Sequence, residues 1–337
     1  MKKFLTPIKD TTLYQTFPTN NAGFDEILEI GKTVNLDEIE PSYVSASART
    51  LIQFNTSELP VIPTGSKYFL NLRLAHASNV QRNQVIQVFP ISSSWTEGSG
   101  YLYQDIKNVN DGATWTQSTK NVSWSLAGGD TKPTPSASIS LTEYPMGDLR
   151  IDVTTLMSAS TSPYGLLLKF PSADEVDGDN LGNVKVFSSQ THTIHQPTLE
   201  VAWDDQVFVT GSLVSSSIDG TAIVLQNLKE KYTRGEISRI NLVVRDEFPL
   251  RSFNSTLRYK AKYYLPSTTY FSITDIQSNT TIRAFDEYSK VSCDTNGVYL
   301  VLDTAPLYKG RFYKIQLKTD TNGYTSIADS NWTFQVI

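Results

Sequence analysis

Residues Asp10–Gly31 read DTTLYQTFPTNNAGFDEILEIG. An Asp-Thr pair opens the stretch, a polar Asn-Asn turn with a glycine interrupts it, and an alternating Ile27-Leu28-Glu29-Ile30 closes it. Taken alone, it fits a catalytic loop, a calcium loop or the corner of a β-sandwich. Its residue types favour the corner. Asn21-Ala22-Gly23 offers the positive φ that a tight reversal needs. Asp10 and Asp25 are placed to accept backbone N–H groups at strand ends, and Arg49 to pair with one of them inside the sandwich.

Strand signals continue outward from this corner. Thr50–Phe54, Lys67–Leu74, Val85–Pro90, Leu149–Val153, Gly165–Phe170, Val184–Phe187 and Thr198–Trp203 are apolar runs of strand length, separated by Gly, Pro, Asn and Ser clusters. Helical periodicity is confined to short pieces around Ser57–Leu59 and Thr154–Met157. With no βαβ alternation, the pattern predicts an all-β chain of antiparallel sandwiches. The excursion Gly112–Ser138, carrying Trp115, Trp124 and Gly128-Gly129, is long enough to be a functional loop or a wrap around the sandwich edge.

At 337 residues the chain can bury two cores. A boundary is expected near Asp204-Asp205, giving domains 1–204 and 205–337. In the second, alternation is cleaner: Ile237, Ile240, Leu242 and Val244; Leu257, Tyr259 and Ala261; Tyr299 and Val301; and Tyr313, Ile315 and Leu317 against Phe312 and Lys314. About 130 residues of such strands fit an immunoglobulin-like sandwich. The chain ends on Trp332–Ile337, expected to be a strand paired within its own sheet, since a flat exposed edge is costly.

The charged fraction of 19% is low, and the net charge of −5 comes with no basic run, which predicts no nucleic-acid partner. No apolar run reaches membrane-spanning length. The start, MKKFLTPIKD, lacks the apolar core of a secretory signal, so the chain is read as working where it is made or leaving by lysis. The single Cys293 excludes an intramolecular disulfide and reads as a small buried side chain.

Several motifs stand in an order that resembles the DNRLRE domain family, β-sandwiches akin to a class of bacterial carbohydrate-binding modules. They are Asp10-Thr11-Thr12 with Asn21-Ala22-Gly23 and Leu28-Glu29-Ile30-Gly31; Arg49–Phe54; Trp95-Thr96-Glu97-Gly98; Gly112-Ala113-Thr114-Trp115; Asp148–Thr154; Tyr164–Leu168; and Phe187-Ser188-Ser189 with Gln196–Leu199. The resemblance spans about Lys9 to Trp203 and implies a jelly-roll-like sandwich. Thr191-His192 stands where that family keeps an acidic residue, and Gly129–Tyr144 is a longer loop than usual.

Candidate site residues are few. Asp174, Asp177 and Asp179 crowd around Gly178, offering the oxygen ligands of a calcium ion on what otherwise reads as a solvated hairpin tip between Leu168 and Val184. Trp95, Trp115 and Trp124, with Tyr101 and Tyr103, gather in one loop region and are the candidate glycan-stacking residues, or else pack a long loop. His76, His192 and His195 lack zinc spacing. Glu97, Asp105, Asp111 and Glu143 form no local pattern that sets two carboxylates across a cleft. No phosphate loop or nucleophile elbow is present.

The expectation is a non-enzymatic virion protein of a tailed bacteriophage, a decoration, neck, tail or baseplate-fibre component. It would act through contacts with other virion proteins, with a host-surface glycan as an added partner. A carbohydrate-binding module proper and a glycan-degrading enzyme are the alternatives.

Overall fold

The computed structural model describes residues 1–337 except 37–42, 60–61, 103–110, 143–146, 159–162, 177–178, 249–262 and 322. The protein is all-β, with 51% strand and 4% helix. It divides into two compact units, Phe4–Val201, and Ala202–Ile337 joined by Met1–Lys3. The first three residues go with the second unit for an electrostatic reason. The Met1 amino group donates to the Trp203 carbonyl and pairs with Asp205, and the buried Lys2 pairs with Asp286.

The elements of the N-terminal half are β1 (Lys2–Leu5), β2 (Pro7–Tyr14), β3 (Ile27–Leu36), β4 (Tyr43–Phe54), a 3-10 turn at Thr56–Glu58, β5 (Lys67–Leu72) and β6 (Leu74–Ser78). They continue with β7 (Gln84–Pro90), β8 (Gln117–Thr119), β9 (Val122–Ser123), β10 (Ala137–Leu141), β11 (Leu149–Asp152) and α1 (Thr154–Ser158). The last are β12 (Leu166–Lys169), α2 (Ser172–Val176), β13 (Gly182–Phe187) and β14 (Thr198–Ala202). Both short helical pieces expected from the sequence form, and five of the expected strands form with boundaries shifted by a residue or two. The expected Thr50–Phe54 is the end of a strand that begins at Tyr43, and the expected Lys67–Leu74 breaks at Arg73 into β5 and β6, which belong to different sheets.

Two sheets face each other. One has the order β1-β14-β5-β11; the other runs β10-β7-β12-β4-β3-β13-β6, with β2 also paired to β4. Period-two burial builds the core between them. Leu149 and Ile151 of β11 oppose Leu72 and Leu70 of β5, and Ile86, Val88, Val184, Val186 and Leu199 join them in one cluster. β12 breaks the alternation because both of its faces are covered. Leu166 and Leu168 enter this core, while Leu167 points into a second cluster with Leu13, Leu51, Ile91, Trp95, Ala113, Trp115 and Trp124. The long Gly112–Ser138 excursion is therefore a wrap. It carries the β8–β9 hairpin and lays two tryptophans on the outer face of the larger sheet.

The second unit holds β15 (Val214–Ser215), β16 (Thr221–Gln226), β17 (Lys231–Tyr232), β18 (Ile237–Asp246), β19 (Tyr263–Tyr264) and β20 (Thr269–Asp275). After these come β21 (Thr280–Arg283), β22 (Ser292–Asp294), β23 (Gly297–Asp303), β24 (Phe312–Thr321) and β25 (Tyr324–Val336). Its sheets run β16-β18-β23-β22 and β17-β25-β24-β20-β21. In chain order these are A-B-E-D and A′-G-F-C-C′, the strand arrangement of an immunoglobulin-like sandwich. Tyr313, the second residue of the F-like β24, is fully buried. Its hydroxyl accepts from the Tyr308 N–H at 2.7 Å and donates to the Tyr308 carbonyl at 3.2 Å, the tyrosine corner of such folds.

The C-terminal strand β25 is paired on both sides, antiparallel to β24 and parallel to β17. Tyr232, Tyr313 and Phe334 lock this corner by ring contacts of 5.4 and 5.6 Å. Three positions read from alternation, in two strands, differ in the structure. Ile237 lies on the outer side of β18, because Ile240, Leu242 and Val244 set the inward parity. Tyr299 and Val301 face away from the core, which β23 fills with Val298, Leu300 and Leu302. Leu257, Tyr259 and Ala261 lie outside the described residues.

Candidate functional site

The opening stretch acts as structural glue. Asn21 is buried and uses both ends of its amide. Its Nδ2 donates to the carbonyls of Glu97 and Ala113 at 2.7 and 2.8 Å, and its Oδ1 accepts from the N–H groups of Gly23 and Gly100. The expected positive φ in this turn is absent. Gly23 is required for a different reason: a Cβ there would sit 2.3 Å from the Glu97 carbonyl oxygen.

Asp10 and Asp25 do accept backbone N–H groups, from Ser189 at 2.7 Å and Leu102 at 3.2 Å. The Ser189 hydroxyl also donates to Asp10, at 2.9 Å, and the Asp10 N–H donates to the Glu97 carboxylate. Burial pushes Asp10 up to about 7 against the pull of these Ser189 donors. It also pushes Asp25 up to about 6 and raises Glu97. Lys9, lowered by burial, donates to the Trp95 carbonyl beside that ring.

Arg49 pairs with neither aspartate. Its Nε and Nη2 take the two oxygens of Glu175 at 3.0 and 2.7 Å, and its Nη1 donates to the Gly128 carbonyl at 2.8 Å. The reason is strand parity. Arg49 shares its side of β4 with Leu51, towards the tryptophan cluster and α2, while Ile52 points into the core between the sheets.

A cleft of about 340 Å³ opens at this point, lined among others by Arg49, Lys169, Glu175, Gln15, Ser47 and Trp115. The Arg49 guanidinium lies 4.7 Å from the centre of the Trp115 ring. Lys169 reaches the Ser172 hydroxyl at 2.6 Å and Glu175 at 3.5 Å. Burial lowers the Lys169 ammonium, Glu175 raises it and Arg49 lowers it again.

The three tryptophans are not open stacking faces. All are buried, with the indole N–H of Trp95 on the Tyr164 carbonyl and that of Trp124 on the Thr114 carbonyl, at 2.7 and 2.9 Å. The apolar outer face of β2, β4 and β12 explains this, because covering it removes more apolar area from water than displaying the rings would. Only Trp115 touches the cleft. Tyr101 is exposed and meets Phe24 edge to face at 5.8 Å; Tyr103 lies outside the described residues.

The acidic run does not form a plain hairpin tip, since its first residues make α2. The Asp174 carboxylate accepts from Gln84 at 2.9 Å, and its carbonyl accepts from Lys32 at 2.7 Å. Asp179 is exposed and Asp177 lies outside the described residues. Among the described residues no group of three or more metal-ligating side chains comes together. Asp111 accepts from the Ser99 N–H and hydroxyl, and Asp105 and Glu143 lie outside the described residues. His192 is exposed beside Glu26, and Cys293 is buried.

Lys169, Gln15 and Ser47 are not singled out by the sequence, and Glu175 stands there only within the acidic run of the calcium candidate, not as a partner of Arg49. Arg49 and Glu175 lie 126 positions apart, and only the pairing of β4 with β12, from which the chain runs directly into α2, brings them together. The available signal was Arg49 as the only charged residue of its strand, which, once buried, demands an anion from somewhere.

No family model matches the chain, and no curated protein matches it. The DNRLRE resemblance thus rests on the motifs alone. Among solved structures the chain is similar to β-glucuronidase 3 of Bacteroides uniformis, with 10% identity and a TM-score of 0.17, over 86% of this chain and 26% of that one. It is also similar to a DUF4785 family protein of Legionella pneumophila, with 8% identity and a TM-score of 0.19, over the whole chain and 65% of that one. The chain therefore spans about a quarter of the first and under two thirds of the second. Overlaps this loose carry no argument about function.

Proposed function

We propose that the chain is a non-catalytic structural component of a larger assembly, a virion protein of a tailed bacteriophage, in a decoration, neck, tail or baseplate-fibre position. It works through protein–protein contacts of its sandwich surfaces. The observation that carries the assembly reading is the outer face of the β16–β18 pair. There Val224 and Val243 stand directly opposite each other and both are exposed, with Ile237 further along the same face. Scattered exposed apolar residues are ordinary; a cross-strand pair on one face, extended along the strand, is the start of an interface. A catalytic reading has less support, since Glu175, the cleft's carboxylate, is held by two cations.

The test is incorporation. Purified particles should contain the chain in fixed copy number by quantitative mass spectrometry, and Val224→Lys with Val243→Lys should lower it without changing the melting temperature of the free protein. Unchanged incorporation would refute this face as the contact. Absence from particles would refute the assembly role.

A second reading, glycan contact, is supported by the cleft, where Gln15, Ser47 and Arg49 stand beside Trp115. Glycan-array binding lost on Arg49→Ala would support it; binding retained in that variant would exclude this cleft.

A further inference from the structure

We propose that α2 is a releasable strap, and that Glu175, carried on it, fills an anion-recognition site built by Arg49 and Lys169 on the floor of the cleft. The helix Ser172–Val176 has no buried residue, and Val176 is 85% exposed, so no apolar packing holds it. Its described attachments from other elements are polar: Lys169 to the Ser172 hydroxyl, Lys32 to the Asp174 carbonyl, Gln84 to the Asp174 carboxylate, and Arg49 with Lys169 to Glu175. An element tied down only in this way belongs to the low-stability end of a fold.

The receiving side is built differently. Arg49 and Lys169 are mostly buried, on neighbouring strands of a continuous sheet. Arg49 keeps its orientation without Glu175, because Gly128 accepts from Nη1 and Trp115 lies against the guanidinium. Gly128 adopts φ +87°, and a Cβ there would come 2.4 Å from Nη1. The Arg49 fork therefore stays in place to take a planar carboxylate or a phosphate from outside, and the Lys169 ammonium, whose partners Ser172 and Glu175 leave with the strap, is freed beside it. The strap's own carboxylate is the intramolecular competitor. The ligand class is a small oxyanion, or an anionic group on a larger partner.

Hydrogen exchange on the unmodified chain tests the strap. The amides of 172–176 should exchange at least about tenfold faster than those of β4 and β12, with little dependence on low denaturant, as expected for local opening. Protection equal to that of β4 and β12 would overturn the proposal. Glu175→Ala tests the site. Inorganic phosphate or acetate should bind this variant at least about tenfold tighter than the unmodified chain, and Arg49→Ala in the same background should abolish the gain. If both anions bind the variant no more tightly than the unmodified chain, the anion site is refuted; a response to one alone identifies the oxyanion it accepts. Where Glu175→Ala does not fold, the exchange measurement on the unmodified chain decides.

Discussion

Replacing Asp10 with asparagine should remove a pH dependence of stability that the fold itself creates. The Asp10 carboxyl is 1% exposed, and burial raises it from 3.8 to about 7. A raised carboxyl binds its proton more tightly in the native state than in the unfolded one. Between those two values the native state therefore holds more protons, and stability falls as pH rises. Each tenfold difference in proton affinity between the two states is worth about 1.36 kcal/mol. On that scale the ionisation of Asp10 should cost the chain about 2.5 kcal/mol between pH 5 and pH 8. The asparagine side chain keeps the shape and the acceptor for the Ser189 N–H, and does not titrate. The assay is urea unfolding of the unmodified chain and Asp10→Asn at half-unit pH intervals, following the transition of the N-terminal unit. The stability difference between the two should move by about 2.5 kcal/mol in favour of the variant across that range. A flat difference would mean that the Ser189 donors hold Asp10 near its ordinary value and that burial is not the dominant influence. Glu97→Gln, measured alongside, separates the contribution of the carboxylate that accepts the Asp10 N–H.

Other outcomes are expected. Gly23→Ala should destabilise the N-terminal unit by about 2 kcal/mol or more in urea unfolding, since its Cβ meets a backbone carbonyl at 2.3 Å that cannot move alone. Trp124→Ala should cost about 3–5 kcal/mol in the same assay, as a buried ring with a bonded indole N–H; a loss under about 1 kcal/mol would show that the excursion does not wrap the sheet. Tyr313→Phe should cost the second unit about 1–3 kcal/mol, by leaving the Tyr308 N–H unsatisfied. Excess chelator should leave the melting temperature unchanged, because the Asp174 carboxylate is engaged by Gln84; a drop abolished by Asp179→Ala would establish a calcium site instead.

The class of the fold was legible in the linear order of residues. Period-two burial is local, so Leu149 and Ile151, or Tyr313, Ile315 and Leu317, announce a strand and its inner face without knowledge of their partners. Turn chemistry is local too, and the short helical pieces at Thr56–Glu58 and Thr154–Ser158 follow from it. The terminal strand's need for pairing could be read from edge energetics, though not that its partners are β24 and β17.

What tertiary structure decided is where each charge and each ring finds its counterpart. In the sequence Trp95, Trp115 and Trp124 read more readily as packing for a long loop than as stacking faces, and the structure buries them against the outer face of β2, β4 and β12. Arg49 required an anion, and the motif order of the sequence offered Asp10 and Asp25. Strand parity turned it instead towards Glu175, 126 residues away. A side chain's direction relative to a sheet is set by local alternation, but which distant segment occupies that side depends on sheet order and loop path, which no window of sequence contains.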